Sequence, residues 1–125
     1  MAKRKNIVER RKQDRFKVKE GVFAVLMSNP PILAQIKEIS EGGLTVRYFG
    51  GEMSMNMSEL DIFVSESDFH LSKAPFKTTS NLDVIIEFPE SVLKMKQRGL
   101  KFGPLTFDQK SQLDYLLRNH AMDKK

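Results

Sequence analysis

The sequence predicts a small all-β protein, an antiparallel barrel of short strands with one C-terminal α-helix packed across it. Three observations predict it. Apolar or alternating runs of strand length recur between Phe16 and Phe102, which is how half-buried strands read. Glycine pairs, Gly42-Gly43 and Gly50-Gly51, punctuate the middle of the chain, where tight reversals call for residues that tolerate positive φ. The one clear helical pattern comes last, after Thr106, so strands precede helix rather than alternating with it. A chain of 125 residues suffices for one domain with a real core and is short for two.

The elements follow in order. Phe16 and Val18 alternate with Lys17 and Lys19, and Val22 to Met27 form an apolar run rich in β-formers. Ser28-Asn29-Pro30-Pro31 is a turn, since proline supplies no donor to a ladder. Ile32 to Ile39 is the second strand, and Leu44 to Phe49 the third, with Leu44, Val46 and Tyr48 on one face. A polar, methionine-rich connection, residues 52–58, leads to strands at Leu60 to Val64 and Phe69 to Thr79, separated by acidic Ser65-Glu66-Ser67-Asp68. Leu82 to Phe88 is apolar but flanked by Asn81 and Pro89, so it reads as a short strand or as irregular chain; Met95 to Phe102 is the last strand. Thr106 and Gln109 form a capping-box pair. Leu113, Leu116 and Leu117 then make an apolar stripe, with Arg118 and His120 at the negative end of the helix dipole.

Hydrophobic residues at 40% and charged residues at 30% are ordinary for a soluble protein. The net charge of +5 is unevenly placed: residues 1–19 hold nine Lys and Arg against two acids, a net +7, which leaves −2 for the remainder. The basicity thus belongs to the amino-terminal arm and implies an anionic partner. There is no cysteine, which excludes disulfides, thiolate metal sites and cysteine nucleophiles. Met1 to Lys5 is charged without a following apolar run, and the longest apolar run, Val22 to Met27, is far below the roughly 20 residues that cross a bilayer. A cytoplasmic location without membrane insertion is expected.

Two stretches carry the functional reading. Arg10-Arg11-Lys12-Gln13-Asp14-Arg15 sets Arg11 and Arg15 four residues apart with Arg10 before them. Guanidinium groups are planar forks that fit phosphate oxygens and guanine edges and stack on bases. Glu38-Ile39-Ser40-Glu41-Gly42-Gly43 lies at the second reversal. In this order and separation the two stretches resemble the PilZ family, whose pattern is RxxxR followed by [D/N]xSxxG. Residues 11–15 match the first motif in full, and Ser40 and Gly43 match the second. Arg98 to Gly103, Leu105 and the capped helix with Gln109 and Leu113 resemble the family's closing strand and helix, so the likeness covers nearly the whole chain.

The resemblance implies a six-stranded antiparallel PilZ-type β-barrel that binds cyclic di-GMP (c-di-GMP), with no further cofactor. On this reading Arg11 and Arg15 grip phosphates and guanine edges, Ser40 bonds to base or ribose, and Gly43 lets the backbone turn close beneath the ligand. Arg10 occupies the place from which an arginine stacks on the extra guanine of an intercalated ligand dimer. Glu38 departs from the family's Asp or Asn; it keeps the charge but moves the carboxylate by more than ~1 Å, the reach of one added C–C bond.

Residues 1–15 are expected to be a flexible basic clamping arm, 16–104 the barrel, 105–121 the helix packed on it and 122–125 a tail. The expected function is a non-enzymatic cyclic di-GMP receptor whose arm closes on the ligand and which signals in trans to an unidentified downstream protein in motility, biofilm or surface-appendage control. The alternative is a PilZ-like protein-interaction module that has lost ligand binding through Glu38. Binding of a nucleic-acid polymer is the third reading, and it is disfavoured because alternation explains Tyr48, Phe49 and Phe69 as core rather than stacking platforms. Met53, Met55 and Met57 read as a loop or edge strand rather than a Cu(I) site, since no His or Cys lies near them in sequence. His70 and His120 show no catalytic arrangement, and no phosphate loop or nucleophile elbow is present.

Overall fold

A computed structural model describes residues 15–28, 30–49 and 58–122. Six strands, β1 (Val22–Leu26), β2 (Ile32–Ile39), β3 (Gly43–Tyr48), β4 (Glu59–Val64), β5 (His70–Phe88) and β6 (Ser91–Phe102), precede one helix, α1 (Phe107–Asn119). The strands close into a barrel in the order β1-β2-β3-β6-β5-β4, every neighbouring pair being antiparallel. Closure leaves the barrel wall without an edge, which is how a small antiparallel sheet avoids templating other chains.

Alternation along the strands builds the core. In β1 Val22, Ala24 and Leu26 point inward, in β3 Leu44, Val46 and Tyr48, and in β4 Leu60, Ile62 and Val64. Small Ala24, Ala34 and Ala74 offset the larger side chains, as a narrow barrel interior requires. No polar residue is buried among those described. Leu113 and Leu116 of α1 join the same core, so the predicted stripe is what seats the helix.

The capping box is present in full: Thr106 Oγ1 accepts from the Gln109 N–H at 3.0 Å, and Gln109 Oε1 accepts from the Thr106 N–H at 2.9 Å. Gln109 also donates through Nε2 to the carbonyls of Ser72 (2.9 Å) and Lys73 (3.1 Å). The cap therefore moors the helix start to β5 at a register shift where Lys73 has φ +56°.

Four sequence expectations are corrected. Leu82 to Phe88 is neither a separate strand nor irregular: it continues β5, a single strand of 19 residues. The polar Ser80-Asn81 break is passed by a bulge between Thr78 and Ser80. β6 begins at Ser91 rather than Met95, because it pairs with the whole outer half of β5. Phe49 is 56% exposed rather than core, lying one position past inward-facing Tyr48. Gly43 is not needed for positive φ; Gly21 is the positive-φ glycine among the described residues. Gly43 is needed because a Cβ there would lie 2.1 Å from the Leu100 carbonyl oxygen of β6.

Candidate functional site

The candidate site is assembled on the outer wall of the barrel by a bridge, a turn and two bulges. The bridge joins Phe16 to Ile39 through two backbone hydrogen bonds of 2.9 Å. A second bridge pairs Val18 with Ala121, just past the helix, supported by bonds from Lys19 N–H to the His120 carbonyl and from Met122 N–H to the Lys17 carbonyl. The segment after Arg15 is thus tied to β2 and to the helix end. Arg15 is thereby set beside Glu38, with guanidinium and carboxylate 3.6 Å apart. Both side chains are well exposed, 60% and 41%, so this surface pair contributes about 0–1 kcal/mol.

The turn is Ser40 to Gly43. The Ser40 N–H donates to the Gly43 carbonyl at 2.8 Å, and Ser40 Oγ accepts from the N–H groups of Gly42 (3.1 Å) and Gly43 (3.3 Å). A serine hydroxyl that closes a turn on its own backbone is a local alternative to continuing a strand. Gly43 then passes against β6, and Gly42 accepts from the Phe102 N–H at 2.8 Å. The two motif residues therefore serve one geometry, a turn pressed flat against the neighbouring strand.

The bulges decide what faces outward. Without an irregularity, Glu38 would share the inward parity of Ile36. The register shift between Ile36 and Glu38 rephases β2, so Ile39 is buried and Glu38 and Ser40 flank it on the outer side. The bulge at Thr79 does the same to Ser80 in β5. Bulges re-aim side chains in this way. The result is a row across four strands, Glu38–Thr45–Gly99–Ser80.

This row lies in the lining of an open groove of about 1190 Å³ that Leu105 and, from α1, Lys110, Leu113, Asp114 and Leu117 also line. Sequence reasoning missed Thr79, Ser80, Lys101 and Lys110 on its walls. Ser80 was hidden by the bulge, since its Oγ accepts from the Gly99 N–H at 3.1 Å only once β5 is rephased. Among the described residues of the lining, Arg15, Lys101 and Lys110 are balanced by Glu38, Glu41 and Asp114. Arg10 and Arg11, named from the sequence as ligand contacts, lie outside the described residues, as do Met53, Met55 and Met57.

Other singled-out residues have ordinary structural places. Tyr48 is buried, with its hydroxyl accepting from Arg98 Nε at 2.9 Å. Phe69 stacks on Tyr115 of α1 at 5.9 Å between ring centroids, and His120 lies against both rings. His70 is 2.9 Å from Asp61 at the exposed β4–β5 seam. Among the described residues no helix is long and apolar enough to cross a membrane.

Comparison of the sequence with protein-family models, and with curated proteins, gives no match. Comparison with solved structures does. The PilZ domain with c-di-GMP of YcgR from Escherichia coli superposes with a TM-score of 0.64 at 12% identity, covering 87% of this chain and 92% of that one. The K. pneumonia MrkH–c-di-GMP complex gives 0.66 at 15% identity, covering 87% of this chain and 50% of that one. MrkH in its apo state gives 0.67 at 13%, covering 84% and 47%. This chain thus spans about half the length of the MrkH chains it matches. At these identities the likeness is one of fold, and the fold is that of a PilZ domain.

Proposed function

We propose that this PilZ-fold chain is a receptor for cyclic di-GMP that acts by binding rather than by catalysis. One observation carries the reading. Arg15 and Ser40, far apart in sequence, are brought to one outer wall by the Phe16–Ile39 bridge, in the order that the RxxxR and [D/N]xSxxG-like motifs require. The neighbours of like fold support it, since the YcgR PilZ domain and MrkH are both described with c-di-GMP.

The chemistry of the groove suits such a ligand. Arg15 leaves its weak pairing with Glu38 for a phosphate or a guanine edge, each charge-assisted bond contributing about 1.5–3 kcal/mol. The Glu38 carboxylate, so released, accepts from the N–H edge of a guanine. Arg10 and Arg11 supply the positive charge that the balanced groove lacks, with Arg10 stacking on a second guanine. The closed form alone makes contacts from both arm and wall, so ligand shifts the population toward it. The signal then passes to a downstream protein.

The Arg15–Glu38 ion pair also favours a second reading, in which the pair is a resting structure and the domain only docks proteins. Calorimetric titration with cyclic di-GMP separates the two. Binding by the wild-type chain, weakened about 10- to 150-fold in Arg15→Ala, supports the receptor. No binding by the wild-type chain, with binding gained in Glu38→Asp, replaces it with the second reading.

A further inference from the structure

β5 and β6 outrun the barrel. β4 stays beside β5 only as far as the Glu59–Pro75 pair, and β3 beside β6 only as far as Tyr48–Lys96, while β5 and β6 remain paired out to Phe88 and Ser91. Their outer part is a two-stranded ribbon. Its register sorts side chains sharply: Leu82, Val84, Ile86 and Phe88 of β5 share one side with Leu93 and Met95 of β6. Only Ser91 and Gln97 join them there, so the ribbon's own residues on this side are uncharged; Arg47 of β3, paired with Gln97, is the cation at its barrel end. The other side holds Asp83, which bridges Lys96 at 3.0 Å and Lys94 at 3.6 Å, together with Ile85, Glu87 and Val92.

Leu82 and Phe88 are each 49% exposed and Leu93 36%, with Val84, Ile86 and Met95 half-buried. At ordinary side-chain areas of roughly 150–250 Å² this is about 400 Å² of continuous apolar surface, within the roughly 300–600 Å² of a typical monomer's largest patch, which is often functional. A two-stranded ribbon alone is at best marginal in water and needs a second layer.

We propose that the uncharged side of this ribbon is a homotypic docking surface, occupied by the same side of the ribbon of a second copy of this chain. A two-fold contact requires a self-complementary patch, and the uncharged outer rows of the ribbon meet themselves without like-charge repulsion when the two Arg47 ends point apart. Two such ribbons stacked about 10 Å apart form a small two-layer sandwich. Together they bury about 800 Å² of apolar surface, below the roughly 1,200 Å² at which stable specific interfaces begin and in the range of transient ones. The contact is therefore weak and concentration-dependent.

This surface begins one residue row from the candidate site. The row Gln35–Arg47–Gln97–Leu82 lies directly beside Glu38–Thr45–Gly99–Ser80, and Arg47 Nε donates to Gln97 Oε1 at 2.7 Å within it. The inference nonetheless rests on the ribbon and not on the ligand reading.

Sedimentation velocity of the full chain over a wide concentration range tests it, with Leu93→Lys on the uncharged side and Val92→Lys on the other. Both positions are exposed, so unchanged far-ultraviolet dichroism and Tm serve as the folding check. The wild-type chain should pass from monomer to dimer, Val92→Lys should match it, and Leu93→Lys should associate at least ten-fold more weakly. Because the chain has no cysteine, Leu93→Cys and Val92→Cys give a second readout: under oxidation the first should form covalent dimers and the second should not. A wild-type chain that stays monomeric at every concentration overturns the proposal and leaves the ribbon to a different protein. Equal cross-linking at the two positions overturns it as well.

Discussion

Replacing Gly43 by alanine inserts one methyl group where β3 passes β6. The new Cβ would lie 2.1 Å from the Leu100 carbonyl oxygen and 3.1 Å from Lys101 Cα, whereas real Cβ atoms essentially never approach within 3.0 Å. The obstacle is backbone, so no rotamer change relieves it. One strand must retreat by about 1 Å, more than a packed interior absorbs without cost. That motion strains the Gly42–Phe102 hydrogen bond of 2.8 Å and the Ser40–Gly43 turn bond of 2.8 Å. Overpacking costs about 1–3 kcal/mol, and the two strained hydrogen bonds, each losing about half of its ~1 kcal/mol, cost about 1 kcal/mol together, so the expected loss is about 2–4 kcal/mol. For a domain of this size that lowers Tm by about 10–20 °C. Thermal unfolding followed by circular dichroism checks it, with Gly103→Ala as the matched control. A Cβ on Gly103 would meet Pro75 side-chain atoms at 3.4 Å, an ordinary contact, and should cost under about 1 kcal/mol. A Gly43→Ala protein as stable as Gly103→Ala would refute the claim that this glycine is required by close approach.

Two further outcomes are expected. Thr106→Ala should lose about 1 kcal/mol through the missing cap, and Gln109→Ala should lose more, because it also frees the Ser72 and Lys73 carbonyls; urea unfolding of the two variants gives the order. In the ribbon, the hydrogen bond and charge of Lys96, then the charge of Lys94, hold the Asp83 carboxyl below its usual 3.8. A folded value below the unfolded one makes the stabilisation present above pH 3.8 and lost as pH falls through the folded value. The stability gap between wild type and Asp83→Asn should therefore be level near neutrality and close below about pH 4; a gap that widens on acidification contradicts the pairing.

The barrel wall was legible because its strands are half-buried and alternate cleanly, as in Leu44, Val46 and Tyr48. The helix was legible because Thr106 and Gln109 cap it reciprocally. What the sequence did not reveal lies where alternation changes phase. The bulges between Ile36 and Glu38 and between Thr78 and Ser80 carry no glycine or proline signature, so Ser80 could not be seen to face the groove. The same bulge joined what read as two separate runs into one long β5. In β6, Lys94 and Lys96 lie on the inward parity of Leu100, which argues against a strand only if a barrel encloses it. Beyond Tyr48 none does, and the two lysines pair with Asp83 instead. Phe49 escapes the core for a related reason, since it takes the outward parity of Arg47. Of the candidate site, motif spacing singled out Arg15, Glu38, Ser40 and Gly43, which the fold sets near one another, but the reason for Gly43 was not legible: the approach of another strand leaves no trace in local sequence.

The most direct measurement is an amide-resolved NMR titration of the full chain with cyclic di-GMP. The account predicts saturable shifts concentrated at Arg15, at Glu38 through Gly43, and at Ser80 and Gly99, with β1 and β4 on the far wall unmoved. Absence of shifts at ligand excess, or shifts confined to residues away from this groove, would contradict it.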